Sequence, residues 1–176
     1  MLKKLQIEKE LKIAKIRTDR GTGFVNDVIQ TYCSMQGILH QLSAARTLQQ
    51  NGVAERRNRT VKEAARVMIT AADLPKRFWA EAINTACYTQ NRSLINKLHN
   101  KTPYELWKGR KPNLSYFHSF GCKCFVLNNG KSYLKTFDER ADEAIFLGYS
   151  STSKAFRVWN KSTMVVEESI HVVFDE

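Results

Sequence analysis

The sequence predicts a helix-rich α/β first part, residues 1–112, followed by a small all-β second part, residues 113–176. Three observations predict this division. Helical periodicity runs with few breaks from Gly52 to Gly109, and two short apolar runs before it, at 13–16 and 38–43, have the alternation of strands. After Pro112, β-branched and aromatic runs separated by turn residues take over. The charge changes at the same place. Residues 1–111 carry 21 Lys and Arg against 9 Asp and Glu, whereas residues 112–176 carry 7 against 8. The net charge of +11 is thus concentrated in the first part and points to an anionic polymer as its partner.

The elements follow in order. Residues 2–11 read as a loosely amphipathic, highly charged helix, and a strand at 12–17 runs into the Asp19 loop. Residues 25–36 form a second helix, with Val28, Ile29, Tyr32, Cys33 and Met35 as its apolar contacts and Gly37 at the position that ends it. A short strand at 38–43 and a polar loop lead to a long helix at about 52–72. Its apolar positions Ala54, Val61, Ala65, Met68 and Ala72 recur at helical spacing. The Asp73-Leu-Pro75 step breaks that pattern, and Pro75 opens a helix reaching about Asn91 with Phe78, Trp79, Ala82, Ile83, Ala86 and Cys87 on its buried face. Thr102 and Glu105 form a capping box, with Gly109 closing the helix. Trp79 and Trp107 are expected in the core. Strands are then expected at 122–127, 143–149, 156–160 and 164–174, the spacing of a small antiparallel barrel.

Composition excludes several classes. No uninterrupted apolar run approaches membrane-spanning length, and the charged start lacks the apolar region of a signal peptide, so a soluble chain with no membrane partner is expected. Cys33 and Cys87 are isolated, and Cys122 and Cys124 lack zinc-knuckle spacing; free thiols are expected. His40, His99, His118 and His171 are scattered without the pairing of a hydrolytic metal site.

Two carboxylates carry the chemistry. Asp19 lies just beyond a strand end and before Gly21 and Gly23, where a sheet presents residues to a ligand. Glu55 falls in the first helical turn after the Asn51-Gly52 turn signal. Each has a purely structural explanation as well, since Asp before Gly is turn chemistry and Glu is favoured by the helix dipole at an N-terminus. Glu55, Arg59, Lys62 and Arg66 share one helical face, which is either a solvated stripe or, beside a metal site, a set of phosphate contacts.

The motif Gln49-Gln-Asn-Gly-Val-Ala-Glu-Arg-Arg-Asn-Arg-Thr60 resembles the integrase core of Copia-type retrotransposon Pol polyproteins. That family carries an Asp-Asp-35-Glu triad, and 35 residues separate Asp19 from Glu55. The resemblance continues through Leu74-Pro-Lys-Arg-Phe-Trp79, Lys101-Thr-Pro-Tyr-Glu-Leu-Trp107, Phe120-Gly-Cys122, Phe146-Leu-Gly-Tyr149 and Val172-Val-Phe-Asp175. It implies a truncated ribonuclease H-like core, a helix-rich remnant with its first three strands missing, followed by a Src-homology-3-like (SH3-like) barrel.

The function implied is DNA integration by strand transfer, in which three carboxylates hold two Mg²⁺ or Mn²⁺ ions. Asp19 and Glu55 match the second and third carboxylates, and Asn51 and Gly52 match the turn that positions Glu55. Arg56, Arg59, Lys62 and Arg66 are the expected DNA contacts. The first carboxylate has no match, since only Glu8 and Glu10 precede Asp19, and catalysis is expected to be lost while nucleic-acid binding is kept.

Two departures point the same way. The family's Asp-x-Gly-Gly-Glu-Phe loop reads Asp19-Arg-Gly-Thr-Gly-Phe24, and its Pro-Tyr-Thr-Pro reads Ala45-Arg-Thr-Leu48, which loosens the loop before Glu55. The family also implies homo-oligomers and a nuclear location. The alternatives are a reused non-catalytic nucleic-acid-binding or protein-interaction module, and a non-functional remnant.

Overall fold

The computed structural model describes residues 2–18, 26–43, 52–127 and 140–175. These form two compact units, Met1–Asn58 and Arg59–Glu176.

In the first unit, helix α1 (Leu2–Lys9) precedes strand β1 (Lys15–Thr18), helix α2 (Asp27–Met35) and strand β2 (Leu39–Leu42). Asn26 caps α2, its side-chain oxygen accepting from the Ile29 N–H at 2.9 Å. Gly37, at φ +64°, ends the helix where a left-handed residue is needed, and Ile38 N–H donates back to the Cys33 carbonyl at 2.8 Å. That turn lays β2 parallel to β1, pairing Ile16 with His40 and Thr18 with Leu42. Cys33, Ile38 and Ser43 are buried, but Leu39 and Leu42 remain exposed. Val28 and Met35 are exposed too, so the apolar face of α2 is narrower than the sequence suggested. Its sealed contact is Cys33.

Helix α3 (Gly52–Ala71) carries the chain into the second unit. There Val61, Ala65 and Ile69 pack with Ala82 and Ala86 of helix α4 (Trp79–Ser93), which follows a single 3-10 turn at Lys76–Phe78. Three alanines at 0% exposure let two backbones approach closely. Ile69 belongs to this stripe and Ala54 does not: Ala54 is exposed in the first turns of α3. Helix α5 (Pro103–Lys108) has the predicted capping box, with Thr102 N–H to Glu105 Oε2 at 2.7 Å and Glu105 N–H to Thr102 Oγ1 at 3.1 Å. Gly109, at φ +73°, closes it.

Among the described residues five antiparallel strands follow: β3 (Lys123–Leu127), β4 (Ala141–Tyr149), β5 (Phe156–Asn160), β6 (Val165–Ser169) and β7 (Val172–Phe174). Their order across the sheet is β6-β5-β4-β3-β7. The run at 164–174, expected as one strand, is two. It breaks at Ile170-His171, and β7 crosses to the opposite edge to pair with β3. One face buries Cys124, Val126, Ala144, Phe146 and Val158, with Phe156 and Phe174 edge-on to Phe146. Asn160, 1% exposed, ties the turns together by donating to Asp142 and Glu167, both at 2.9 Å, while its oxygen accepts from the Ser162 and Thr163 N–H groups.

Helix α4 covers the other face. Phe146, Leu147 and Gly148 are consecutive and all buried, so this stretch of β4 is enclosed on both sides. Thr85 Oγ1 donates to the Leu147 carbonyl at 2.7 Å. Gly148 stands at φ +143° beside a bulge in the β4–β5 pairing, and a Cβ there would lie 2.0 Å from Thr85 Oγ1. Around this contact Tyr88 stacks on Tyr149 at 4.0 Å, Phe78 meets Trp159 at 5.4 Å, and Arg157 grips Glu81 through two bonds of 2.8 and 2.7 Å. Arg157 also binds Glu168 at 3.0 Å; these carboxylates, Glu81 foremost, push its already high pKa further up. Trp79 and Trp107, expected in the core, are each 39% exposed, because the faces of α4 and α5 that meet the unit are filled by smaller or other aromatic residues.

Two outcomes are expected. Gly148→Ala, which combines a disfavoured φ with a clash against the hydrogen-bonded Thr85 side chain, destabilises the second unit by about 2–4 kcal/mol in urea denaturation. The Glu105 carboxyl is held below the usual range, chiefly by the Thr102 backbone N–H with Lys111 and Lys101 adding to it. Its contribution is therefore complete above the ordinary Glu pKa and lost as pH falls through the depressed folded value. Glu105→Gln abolishes that acid-limb loss of stability, measured as melting temperature against pH.

Candidate functional site

The described part of the expected site begins at the end of β1. Thr18 Oγ1 and His40 Nε2 lie 2.8 Å apart across the parallel pair, and Arg17 donates to the Gln41 side chain at 3.2 Å. Parallel pairing thus brings His40 to the strand end that leads into Asp19. Asp19 and Asn51 both lie outside the described residues, as do residues 19–25 and 44–51 generally.

Gly52 opens α3, and its carbonyl accepts from Arg56 Nε at 3.0 Å, so Arg56 folds back along the first turn. Glu55 stands exposed in that turn. Its carboxylate is favoured there by the unpaired N–H groups of the helix start, and its oxygens suit a hard divalent ion. Among the described residues no group of three or more His, Cys, Asp or Glu gathers as metal ligands. The donor chemistry of Glu55 fits Mg²⁺ or Mn²⁺, and Asp19 is the other sequence-matched residue that would hold it.

In the second unit, Arg59, Lys62 and Arg66 are all exposed on α3, whose opposite side is buried through Val61, Ala65 and Ile69. Packing therefore holds three cations toward solvent on a helix fixed from behind. Their spacing lets them follow a phosphate backbone rather than a single small anion.

None of the four cysteines is joined in a disulfide. Cys124 is fully buried and desolvation pushes its thiol up to about 11, which makes it a packing residue and no nucleophile. The arrangement that sequence reasoning missed is the groove along α4, of about 480 Å³, lined among others by Asn84, Tyr88, Arg92, Ser150 and Arg157. Its signal was present only as an amphipathic helix, since the strand residues opposite lie more than fifty positions away in the chain.

Residues 122–176 match the retroviral polymerase SH3-like domain, which covers β3 to β7. Over 165 residues the chain is 37% identical to the retrovirus-related Pol polyprotein from transposon TNT 1-94 of Nicotiana tabacum, covering 94% of this chain and 12% of that protein. The chain is homologous to retrotransposon Pol polyproteins. A second plant relative, from transposon RE1 of Arabidopsis thaliana, is 31% identical over 167 residues, covering 95% of this chain and 11% of its own length. The chain thus spans about one-eighth of the curated relatives it matches.

Among solved structures, a chain of the simian T-cell lymphotropic virus intasome in complex with PP2A regulatory subunit B56 gamma aligns with a TM-score of 0.47 at 16% identity, covering 93% of this chain and 58% of its own. The HTLV-2 integrase catalytic core domain in complex with magnesium aligns with a TM-score of 0.44 at 24% identity, covering 59% and 62% respectively. At that level of similarity they decide nothing about this chain. No described helix is long and apolar enough to cross a membrane.

Proposed function

We propose that the chain is the integrase segment of a Copia-type retrotransposon Pol polyprotein, a nucleic-acid-binding piece that does not catalyse strand transfer alone. In this reading residues 1–112 belong to a ribonuclease H-like core, and residues 113–176 are the SH3-like barrel. The observation that carries it is helix α3, which sets an exposed Glu55 in its first turn and exposed Arg59, Lys62 and Arg66 in the turns beyond. Homology over nearly the whole chain to retrotransposon Pol polyproteins supports it.

The roles follow from the residues. Arg59, Lys62 and Arg66 bind successive phosphates and set the register of the DNA, and Arg56 adds charge at the helix start. Asp19 and Glu55 would hold the divalent ion, which would supply Lewis acidity at the scissile phosphate. Asn51 and Gly52 would position Glu55. Two carboxylates by themselves hold a divalent ion weakly. Assembly with further copies and a nuclear site of action belong to the same reading.

Binding and cleavage separate the parts of this proposal. Fluorescence anisotropy with a DNA duplex is expected to give salt-dependent affinity, and Arg59→Gln/Lys62→Gln/Arg66→Gln lowers the magnitude of the log–log salt slope by about 2–3. An unchanged slope removes α3 from the interface. In Mg²⁺ or Mn²⁺, nicking of supercoiled DNA stays at background for the 176-residue chain and for Glu55→Ala alike. Nicking that disappears on Glu55→Ala contradicts the inactive reading.

A further inference from the structure

A second cationic stretch is the segment from Leu94 to Tyr116. It carries Lys97, Lys101, Lys108, Arg110 and Lys111, all exposed, and Glu105 is its single acid. The Glu105 carboxylate accepts the Thr102 N–H of the capping box and feels Lys111 and Lys101. The same segment carries two half-open rings, Trp107 at 39% and Tyr116 at 54% exposure.

The segment is ordered before any partner arrives. Asn96 and Lys101 bridge across a tight turn, with Asn96 N–H to the Lys101 carbonyl at 2.9 Å and Leu98 N–H to Asn96 Oδ1 at 2.9 Å. Arg92 lies over the Tyr104 ring at 4.7 Å and over Tyr88 at 3.4 Å, which fastens α5 to α4. Asn113 closes the last turn by accepting from Ser115 N–H at 2.9 Å. A pre-ordered surface loses little entropy on binding.

We propose that this segment is a binding surface for single-stranded nucleic acid, with bases stacking on Trp107 and Tyr116 and phosphates meeting the surrounding Lys and Arg. Cations of one sign interleaved with open aromatic rings are the arrangement that holds unpaired strands, because every base offers a π-face and duplex bases do not. Leu94, Ile95 and Leu98 are exposed beside it and would also suit an acidic protein segment. Four of the five cations are lysines, a residue depleted in protein–protein interfaces, and this favours the strand. The segment shares no residue with the α3 stripe, and the proposal stands whether or not α3 binds duplex.

The test is anisotropy titration of labelled oligothymidylate of about 20 nucleotides with the full chain, with poly-L-glutamate as a polyanion lacking bases. Trp107→Ala is expected to weaken binding by roughly fivefold to a hundredfold, and Trp107→Phe to restore most of it. Replacing the five cations by Gln flattens the salt dependence. Lys76→Gln/Lys154→Gln, two exposed lysines outside both stretches, is the control and leaves oligothymidylate affinity within about threefold. Equal affinity of the Ala and Phe variants, competition by poly-L-glutamate at matched charge, or a loss on the control as large as on the five-cation variant each overturns the proposal. Competition by poly-L-glutamate assigns the surface to an acidic protein partner instead. If Trp107→Ala does not fold, the Phe and five-cation variants decide.

Discussion

The second unit depends on one close approach, that of Gly148 on β4 to Thr85 on α4. A side chain at position 148 would occupy the space of the Thr85 hydroxyl, which is spent on the Leu147 carbonyl. A bulge beside Gly148 and its left-handed φ leave the strand able to receive a helix at that distance. The Tyr88–Tyr149 stack and the Arg157–Glu81 fork then have their partners within reach. Without the glycine the helix would stand off, and the buried Leu147 would lose its cover.

This contact explains why the helices from Arg59 onward and the SH3-like sheet make one compact unit. It also bears on function through rigidity. Helix α4, held against β4, supplies Ala82 and Ala86 as the floor on which α3 lies through Val61, Ala65 and Ile69. The exposed side of α3 is therefore a fixed line of charge. The same helix carries Arg92, whose guanidinium lies over Tyr104 and so secures α5 and the basic segment around it. Helix α3 and the basic segment around α5 thus share one scaffold.

Much of the fold was legible in the sequence because local chemistry decides it. Thr102 and Glu105 spell a capping box, Gly37 and Gly109 sit where only a left-handed residue ends a helix, and the 3.6-residue stripes of α3 and α4 mark their buried sides. What could not be read depends on contacts distant in sequence. Whether Trp79 and Trp107 are core or surface is set by which face smaller residues already fill. The break at Ile170-His171 is set by the free edge of β3, and the role of Gly148 by a threonine more than sixty positions earlier. For the site, the local settings of Glu55 at a helix start and of Arg59, Lys62 and Arg66 on one exposed side follow from periodicity. The pairing of Thr18 with His40 needed the parallel register, which no spacing reveals.

The most direct measurement of the central claim is hydrogen–deuterium exchange of the full chain with and without a short DNA duplex. The account predicts that protection gained on binding concentrates in α3, from Gly52 through Arg66, while β3 to β7 exchange as in the free chain. Protection confined to the sheet, or none in α3 at saturating duplex, would contradict it.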